Sequence, residues 1–587
     1  MFKQNVEDKT DKQYNLGDVN NEFKLPIHFN ANNQKLNESV LCDLELIKPI
    51  NETEQPIYHY IFKPNNMLSK ITLESIATTY TTDVNYLEDT QKLMNNLDNS
   101  KIENTIHDKK LDQIVTNWSE IHDETSFCEK YLFINFDFAK FINNNETFLQ
   151  IMSVYNIASP ILSLFLPILI LIVPFFIIKF RGDVELNMNE YITVLKKIIS
   201  NHAISKVFTK FNEVDFGQKI YLLISTAFYI FSIYQNILIC VRFYSNMKKI
   251  HDYLAIFKQY IDDTLCSINY YLSITDKLTT YNEFNVELKN NMNVLLHFRD
   301  CLDKITPFKI TLPKITQIGH IMHTFYQIYD NEDFNKALLY SFGFNGYLSN
   351  LYGLKSNILN GTINATTFMS DTKPKFKQMY YPKLIDDVNV IKNECDLTKN
   401  IILTGPNASG KTTTLKSTLI NIILSQQFGM GCFEALILTP YNKLHCYLNI
   451  PDTSGRDSLF QAEARRCKEI IDVIDNNQND THFCIFDELY SGTNPDEAVN
   501  SARSFMDYIV KNNNVTCMLT THYVKLCKKL SKNDKIMNYN MKTIKKKNKK
   551  LKYTYQIQNG ISKIKGGFNV LIDMNYPQEI INNDLLE

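Results

Sequence analysis

The sequence predicts a multidomain chain in which helical and mixed N-terminal regions with two transmembrane helices precede a helical core and a C-terminal α/β domain. Two long stretches, 147–178 and 220–241, contain no charged residue. An apolar stripe at helical spacing follows over 250–272, and a glycine-rich loop then joins an apolar strand to an apolar helix over 401–424. A chain of 587 residues is long enough to hold several such domains.

Composition narrows the classes of protein that the chain can be. The 62 basic and 63 acidic residues leave a net charge of −1, so any affinity for nucleic acid or lipid has to come from local patches. The 12 cysteines are scattered singly, without a C-x-x-C pair, which favours reduced cytosolic thiols over a disulfide framework or a zinc site. The polar N-terminus does not have the pattern of a signal peptide.

The first 146 residues carry no motif that indicates a function. Residues 1–40 are rich in Asn, Lys and Asp, and we expect a poorly ordered polar tail. Residues 41–146 alternate apolar clusters with polar stretches, which predicts an N-terminal globular region.

Residues 147–241 form the predicted membrane region, with candidate spans at about 154–178 and 220–241. A helix needs about 20 apolar residues to cross a bilayer, and both stretches supply them. The first stretch also lacks the polar face that a soluble core helix normally keeps. A pair of buried helices in a soluble protein is the alternative.

Residues 242–380 are predicted to form a helical core. Apolar residues recur every three or four positions from Ile250 to Leu272, which predicts a long amphipathic helix with a coiled-coil-like seam. A similar pattern from Leu288 to Leu302 predicts a second helix that packs on the first.

The chemistry is concentrated in residues 381–587. The stretch I-I-L-T-G-P-N-A-S-G-K-T-T-T, from Ile401 to Thr414, has the strand, the glycine-rich loop and the helix start of a phosphate-binding loop. Backbone N–H groups of such a loop close around the β-phosphate of ATP, Lys411 would reach the β- and γ-phosphates, and Thr412 would hold Mg²⁺. The predicted nucleotide-binding residues here are Gly405, Pro406, Asn407, Ala408, Ser409, Gly410, Lys411, Thr412 and Thr413.

The remaining candidate metal-binding and catalytic residues lie at the ends of two later predicted strands. The stretch T-H-F-C-I-F-D-E ends in Asp487, a predicted Mg²⁺ ligand together with Thr412, and in Glu488, which would polarise the attacking water. The stretch V-T-C-M-L-T-T is followed by His522, which is placed to sense the γ-phosphate. The predicted catalytic residues are therefore Lys411, Glu488 and His522.

Four apolar strands, near residues 401, 435, 483 and 515, alternate with helices and predict a mostly parallel α/β sheet. Ligands of such sheets bind at the carboxyl ends of the strands. The fold alone does not decide the function, because many functions share it.

The motifs together resemble those of the MutS mismatch-repair ATPases, which belong to the ABC-type class. T-G-P-N-A-S-G-K-T-T resembles the family's T-G-P-N-x-x-G-K-S/T, D-E-L-Y-S-G-T-N resembles D-E-I-G-R-G-T-S, and T-T-H-Y resembles A-T-H-Y. The stretch from Ser458 to Glu463, S-L-F-Q-A-E, resembles S-T-F-M-x-E, and G-I-S-K-I-K-G-G-F-N-V-L stands where the family has G-x-x-x-S-Y-G. The L-S-G-G-Q segment of ABC transporters is absent from the sequence, which favours MutS.

This resemblance implies an ATPase that works as a homodimer through its ATPase domains. ATP and Mg²⁺ would be held between two modules, with Ser458 reaching the γ-phosphate of the partner's nucleotide. Hydrolysis through Glu488 would reopen the dimer, and lever-like helices in 242–380 would transmit the change. The implied cargo is DNA, bound through non-specific phosphate contacts.

Three departures separate the sequence from soluble mismatch sensors. Tyr490 and Ser491 stand where the family has Gly and Arg. F-C-E at Phe127 and F-N-E at Phe211 match the mismatch-reading wedge only as a trio, outside its wider context, so neither is assigned that role. The apolar segments resemble the layout of membrane-anchored relatives of MutS, including those of giant viruses.

A basic run precedes the last predicted strand, in M-K-T-I-K-K-K-N-K-K-L-K. The solvated tip of a β-hairpin is the favoured interpretation, and contacts with DNA phosphates or with anionic lipid are the alternatives. The run consists of Lys542, Lys545, Lys546, Lys547, Lys549, Lys550 and Lys552.

Two crossings would place both tails on one side of a membrane, and the tail that binds ATP must face the cytosol. Lysine and arginine counts do not favour this orientation, because the loop between the spans holds seven and the outer flanks five. A hairpin that enters the bilayer without crossing also fits, and residues 185–211 have the periodicity of a helix lying on the membrane surface.

The sequence therefore predicts a membrane-anchored, MutS-type ATPase with DNA-mismatch-repair-like chemistry, whose partners are DNA, membrane lipid and a second copy of the chain. The alternative is a membrane-tethered, ATP-gated scaffold without mismatch recognition. An ABC-type transporter is disfavoured, because two spans make a poor transport pathway.

Overall fold

The computed structural model describes residues 15–98, 108–123, 127–181, 188–201, 206, 215–309, 311–448, 450, 458–545, 551–564, 574 and 576–577. The chain divides into two compact units. We call them the helical unit, which includes residues 113–262 and 293–337, and the sheet unit, which comprises residues 16–112, 263–292 and 338–587.

The N-terminal part of the sheet unit consists of short helices and one antiparallel strand pair. The helix over Met67–Thr78 begins with a capping box, in which Asn66 and Ser69 exchange side-chain and backbone hydrogen bonds. The elements are α1 (Val19–Glu22), β1 (Asn33–Lys35), α2 (Glu38–Asp43), α3 (Ile57–Phe62), α4 (Met67–Thr78), β2 (Thr79–Thr81) and α5 (Val84–Asn96), with 3-10 turns at Leu16–Asp18 and Pro26–Phe29.

The prediction of a poorly ordered tail over residues 1–40 is wrong for residues 15–40, which form the first of these elements. Phe23, Leu25 and Ile27 are buried there, and the Phe23 ring packs edge-on against Tyr340 with centroids 5.2 Å apart. A few large apolar side chains therefore anchor a segment whose average composition is polar. Residues 1–14 lie outside the described residues.

The elements that follow are mainly long helices. They are α6 (Asp108–Asp123), α7 (Phe127–Tyr131), a 3-10 turn at Lys140–Asn144, α8 (Glu146–Arg181), α9 (Met188–Asn201) and α10 (Phe216–Thr275). Helix α9 falls within the predicted surface helix 185–211, and most of the remainder of that stretch lies outside the described residues.

Helices α8 and α10 are long and apolar enough to cross a membrane, judged by length and composition. Large apolar side chains on both are exposed: Ile151, Tyr155, Ile161 and Leu164 on α8, and Tyr221, Phe228, Ile230 and Phe231 on α10.

Helix α10 is one continuous helix of 60 residues, which joins the second predicted span to the predicted amphipathic helix. The apolar stripe of its second half is buried, as its spacing predicts: Ile250, Leu254, Phe257, Ile261, Leu265 and Ile268. The next predicted helix is confirmed as α11 (Asn282–Asp303). After it come α12 (Leu312–Ile315), α13 (Ile318–Asp330) and α14 (Glu332–Leu359).

The C-terminal elements build two sheets. Their strands are β3 (Asn364–Phe368), β4 (Lys375–Met379), β5 (Asn393–Asp396), β6 (Asn400–Thr404), β7 (Met430–Gly431), β8 (Ala435–Leu438), β9 (Lys443–Tyr447), β10 (His482–Asp487), β11 (Val515–Thr521), β12 (Ile536–Lys545) and β13 (Leu551–Asn559). Their helices are α15 (Lys411–Phe428), α16 (Leu459–Asn476), α17 (Pro495–Ile509) and α18 (Val524–Leu530), with a 3-10 turn at Pro382–Leu384.

The six-stranded sheet has the order β13-β12-β6-β11-β10-β9, and the neighbours from β12 to β9 run parallel. This confirms the predicted parallel arrangement for the strands near 401, 483 and 515. The prediction is wrong for the strand at Ala435, which lies in the second sheet, of order β5-β4-β8-β3-β7. Two short apolar runs flank Pro440, and it is the later run, β9, that pairs with β10.

Helix α15, which follows the glycine-rich loop, is enclosed by residues from the N-terminal part of the sheet unit. Lys416 Nζ lies 2.7 Å from Glu45 Oε1, and Tyr58 donates a 2.6 Å hydrogen bond to Gln427. Strands β3 and β4, which precede residue 381, pair with β8. The predicted limits of 41–146, 242–380 and 381–587 therefore differ from the compact units of the structure.

Candidate functional site

The glycine-rich loop occupies the turn from β6 into α15, where two residues have left-handed backbone conformations. Ala408 has φ 61° and Gly410, which caps α15, has φ 96°. A Cβ on Gly405 would lie 2.7 Å from Ser409 Oγ and 3.1 Å from Met541 Cβ, so a larger residue would force these side chains to move. The turn places the start of α15 in the wall of the cavity described below, and the start of a helix is a favourable position for an anion.

Lys411 is the centre of a charged cluster at the carboxyl ends of β6, β10 and β11. The side chain is 5% exposed, and its Nζ lies 3.1 Å from His522 Nε2 and 3.7 Å from Glu488 Oε1. Burial lowers the pKa of Lys411, although Glu488 and Asp487 oppose this effect. The ammonium group is thus desolvated but remains next to carboxylates that favour its charged form.

Glu488 and His522 form the closest pair of the cluster, with Oε1 and Nε2 2.6 Å apart. The hydrogen bond with His522 lowers the pKa of Glu488, as does the charge of Lys411. Glu488 also has φ 52°, a left-handed conformation that a glutamate adopts only when its surroundings impose it. Such a fixed, ionised carboxylate is suited to accept a proton from water.

Thr412 and Asp487 lie side by side next to this cluster. Thr412 Oγ1 donates a 2.7 Å hydrogen bond to Asp487 Oδ2, and Thr520 donates one to Asp487 Oδ1. A hydroxyl and a carboxylate are oxygen ligands of the kind that Mg²⁺ prefers. These residues therefore fit a magnesium ion, whose remaining ligands would be water and phosphate oxygens.

A cavity of about 900 Å³ opens beside the loop. Asn407, Ala408 and Thr413 line it, together with Lys411, Thr412 and Glu488. Its far walls come from segments that the sequence did not mark as part of the site: Tyr380, Tyr381, Val390, Ile391, Lys552, Tyr553 and Tyr555. Asn393 holds the last of these segments in place, because its side-chain amide pairs with the backbone of Tyr555 and Ile557.

Ser458 is not among the residues that line this cavity. It caps α16 and is exposed, with its Oγ accepting a 3.3 Å hydrogen bond from Gln461 N. Residues 451–457, which precede it, lie outside the described residues. Of the predicted site residues, the structure thus brings together the loop, Lys411, Thr412, Asp487, Glu488 and His522, and leaves Ser458 apart.

Glu463, five residues after Ser458, has a structural role that its motif did not indicate. The side chain is 2% exposed, and its carboxylate accepts hydrogen bonds from Ser491 N, Ser491 Oγ and Gly492 N at 3.0, 2.8 and 3.2 Å. These residues directly follow the loop that presents Glu488.

Other sequence motifs lie at the edge of the site or away from it. Lys542 and Lys545 lie on β12 and Lys552 on β13, whereas 546–550 are outside the described residues. Phe127, from one F-C-E match, is buried and stacks on Tyr329 with ring centroids 4.1 Å apart. It is therefore part of the hydrophobic core of the helical unit. The other match, at Phe211, and residues 565–571 of the closing motif are not described.

A family model of MutS domain V matches residues 401–585, which include β6, the loop and the Lys411 cluster. Residues 401–585 therefore form a domain of the MutS family. It is 32% identical over 167 residues to the endonuclease MutS2 of Staphylococcus carnosus (strain TM300), which covers 26% of this chain and 21% of that protein.

Two further relatives show the same partial match. A MutS2 endonuclease of Staphylococcus epidermidis (strain RP62A) is 29% identical over 228 residues, or 36% of this chain and 28% of the relative. The DNA mismatch repair protein MutS of Pseudothermotoga lettingae (strain TMO) is 27% identical over 221 residues, or 37% and 26%. The chain thus spans between 21% and 28% of the length of these curated relatives.

Proposed function

We propose that the chain is a magnesium-dependent ATPase of the MutS type, related to DNA mismatch repair, that binds ATP in the cavity beside Lys411. The observation that carries the proposal is the convergence of Lys411, Glu488 and His522 beside the Thr412–Asp487 pair. The cavity has the size of a nucleotide site, and its tyrosine-lined wall offers flat apolar surfaces for a base.

Each residue of the cluster has a distinct task in this proposal. Lys411 and the N–H groups at the start of α15 bind the phosphates, and Glu488 accepts the proton of the attacking water. His522 holds the Glu488 carboxylate in place and contacts the γ-phosphate. A Mg²⁺ ion held by Thr412 and Asp487 would neutralise charge on the phosphate oxygens when bound.

Substitution of the base tests this mechanism. We expect Glu488→Gln to lower kcat by about 100-fold or more while ATP affinity is retained, because only the proton acceptor is lost. Lys411→Ala should abolish ATP binding itself. Glu434→Gln, an exposed glutamate that pairs with Lys377, is the matched control and should leave turnover unchanged. Wild-type turnover by Glu488→Gln would disprove the mechanism.

The second proposed feature is a homodimer through the ATPase domains. Ser458 supports it, because this exposed cap of α16 lies apart from the cavity of its own chain and is free to face a partner. We expect a non-hydrolysable ATP analogue to shift wild-type protein toward a dimer in sedimentation velocity runs. Ser458→Ala should weaken that shift, and a monomer at all nucleotide concentrations would contradict the proposal.

The third feature is membrane attachment through α8 and α10, with the ATPase facing the cytosol. Their exposed apolar side chains, such as Tyr155, Ile161, Phe228 and Phe231, support it, since a buried core helix would cover such residues. Alkaline carbonate extraction of cell membranes tests the attachment. Release of the full-length protein into the soluble fraction would exclude integral insertion.

The fourth proposed feature is DNA binding. It is supported by the match to MutS domain V and by the lysines of β12 and β13. Fluorescence anisotropy with matched and mismatched duplexes across a salt series tests it, because phosphate contacts weaken steeply with salt. Equal binding of both duplexes would favour an ATP-gated scaffold without mismatch recognition. The burial of Phe127 favours that second candidate, because this phenylalanine cannot act as a wedge.

A further inference from the structure

Glu463 is buried, and its motif does not indicate a function for it. Its three hydrogen bonds, from Ser491 N, Ser491 Oγ and Gly492 N, all come from one short segment. A buried carboxylate is costly unless it is hydrogen-bonded, and bonds to a charged acceptor are about twice as strong as neutral ones. Glu463 therefore fixes the segment 491–492 firmly to helix α16.

The segment that Glu463 holds is the continuation of the loop that presents Glu488. Glu488 and Tyr490 both have left-handed backbone conformations, with φ 52° and 59°. Such conformations cost of order 1–3 kcal/mol each and persist only where neighbouring contacts impose them. The hydrogen bonds that Glu463 accepts fasten the downstream end of this strained loop.

The same loop also rests on the first turn of α16. A Cβ on Gly492 would lie 2.8 Å from Leu459 Cγ and from Phe460 N, so loop and helix start are in direct contact. Ser458 caps this helix, about 7.5 Å along the axis from Glu463 at 1.5 Å per residue. The helix start and the loop therefore cannot shift independently without breaking these contacts.

We propose that Glu463 is a positioning residue that holds Glu488 in its hydrolytic orientation and links it to Ser458 through the first turns of α16. The inference rests on the proposed ATPase function and on the proposed dimer. When Ser458 engages the γ-phosphate of a partner's nucleotide, the helix start shifts, and Glu463 carries the shift to the loop of Glu488.

The substitution Glu463→Gln tests the positioning role. It preserves the size of the side chain but replaces one acceptor oxygen by an NH2 group, which faces the donors of either Ser491 or Gly492. We expect kcat to fall between 10-fold and 100-fold, with KM for ATP changed less than threefold. Ser491→Ala, which removes one of the three bonds, should lower kcat about threefold. Glu469→Gln is the control, an exposed glutamate on the same helix whose partner is Arg466.

A second readout separates positioning from a general structural role. If Glu463 acts through Glu488, then adding Glu463→Gln to Glu488→Gln should lower kcat no further. If it also links Glu488 to Ser458, then the combined loss in kcat of Glu463→Gln with Ser458→Ala should be smaller than the product of the two single losses. Thermal melting identifies variants that fail to fold. Should Glu463→Gln not fold, Ser491→Ala in the same two backgrounds decides the question, with additive effects refuting the linkage.

The outcomes also separate this inference from the proposed function. A wild-type protein without turnover, or one insensitive to Glu488→Gln, means that the ATPase proposal has failed. Wild-type turnover that is lost in Glu488→Gln but unchanged in Glu463→Gln overturns the inference alone. Equal changes in kcat and KM would also overturn it, because they indicate loss of the nucleotide site rather than misplacement of the base.

Discussion

Replacement of Gln427 by methionine should destabilise the sheet unit strongly, although Gln427 lies at the end of α15 that is far from the candidate site. Its side chain accepts a 2.6 Å hydrogen bond from Tyr58 and donates 2.9 Å bonds to the carbonyls of Ile76 and Thr79. All three partners belong to the N-terminal part of the unit. Methionine has a similar volume and can make none of these bonds, so the helix would keep its packing and lose its polar attachment.

The magnitude follows from the groups left without partners. The buried Tyr58 hydroxyl costs about 1–3 kcal/mol when unpaired, and each of the two lost bonds to carbonyls costs about 1 kcal/mol. We therefore expect a total of about 3–5 kcal/mol. A domain of this size loses roughly 2 °C of melting temperature per kcal/mol, which gives a fall of about 6–10 °C.

Calorimetry of the purified full-length protein measures this fall directly. Gln55→Met, an exposed glutamine near Tyr58 in the sequence, is the control and should change the melting temperature by less than 1 °C, since exposed sites cost little. Combining Gln427→Met with Tyr58→Phe should cost less than the sum, because the orphaned hydroxyl is gone. Equal melting of Gln427→Met and Gln55→Met would refute the attachment of α15 to residues 16–112.

Two other substitutions probe electrostatic contacts of the same unit. Although burial alone would raise it, the bond with Lys416 holds the pKa of Glu45 below its usual value. Lys416→Met should therefore cost about 1–3 kcal/mol in a denaturant titration, because this largely buried carboxylate loses its ion-pair partner. Burial lowers the pKa of His445, which lies 3.1 Å from His482, to about 3. Its stabilising contribution is complete above pH 6.5 and falls with pH below it, by about 2 kcal/mol at pH 5, and His445→Phe should flatten this part of the stability-versus-pH curve.

The central residues of the site could be identified from the sequence because each of them ends or follows a strand. Lys411 and His522 follow β6 and β11, and Asp487 is the last residue of β10; these three strands are neighbours in the parallel sheet. The carboxyl ends of parallel strands lie at the same edge, so local motifs placed after strands meet in space. Thr412 and Glu488 join them because they are adjacent in sequence to Lys411 and Asp487.

The remaining walls of the site depend on contacts between distant parts of the chain. Tyr381 and Tyr553 line one cavity although 172 positions separate them. Local periodicity in the sequence cannot predict a contact between segments that are so far apart. The enclosure of α15 is similar, since Gln427 meets Tyr58 across 369 positions. The sequence predicts an apolar helix after the loop. Only the fold reveals that polar side chains of α15, such as Asn421, Gln426 and Gln427, are buried as well.

Tyr490 shows how a departure from the family motif can be accommodated in this fold. The MutS motif has glycine at this position, and the left-handed conformation of Tyr490, φ 59°, suits glycine at far lower cost than tyrosine. Here the Tyr490 ring packs near Phe460 and Phe505, at centroid distances of 5.6 and 6.3 Å, and is nearly buried. Aromatic burial of this kind stabilises by about 1.5–3 kcal/mol, which is enough to offset the backbone strain. The ring therefore joins Glu463 in holding the loop against α16, and the strained Glu488 conformation is retained without the glycine.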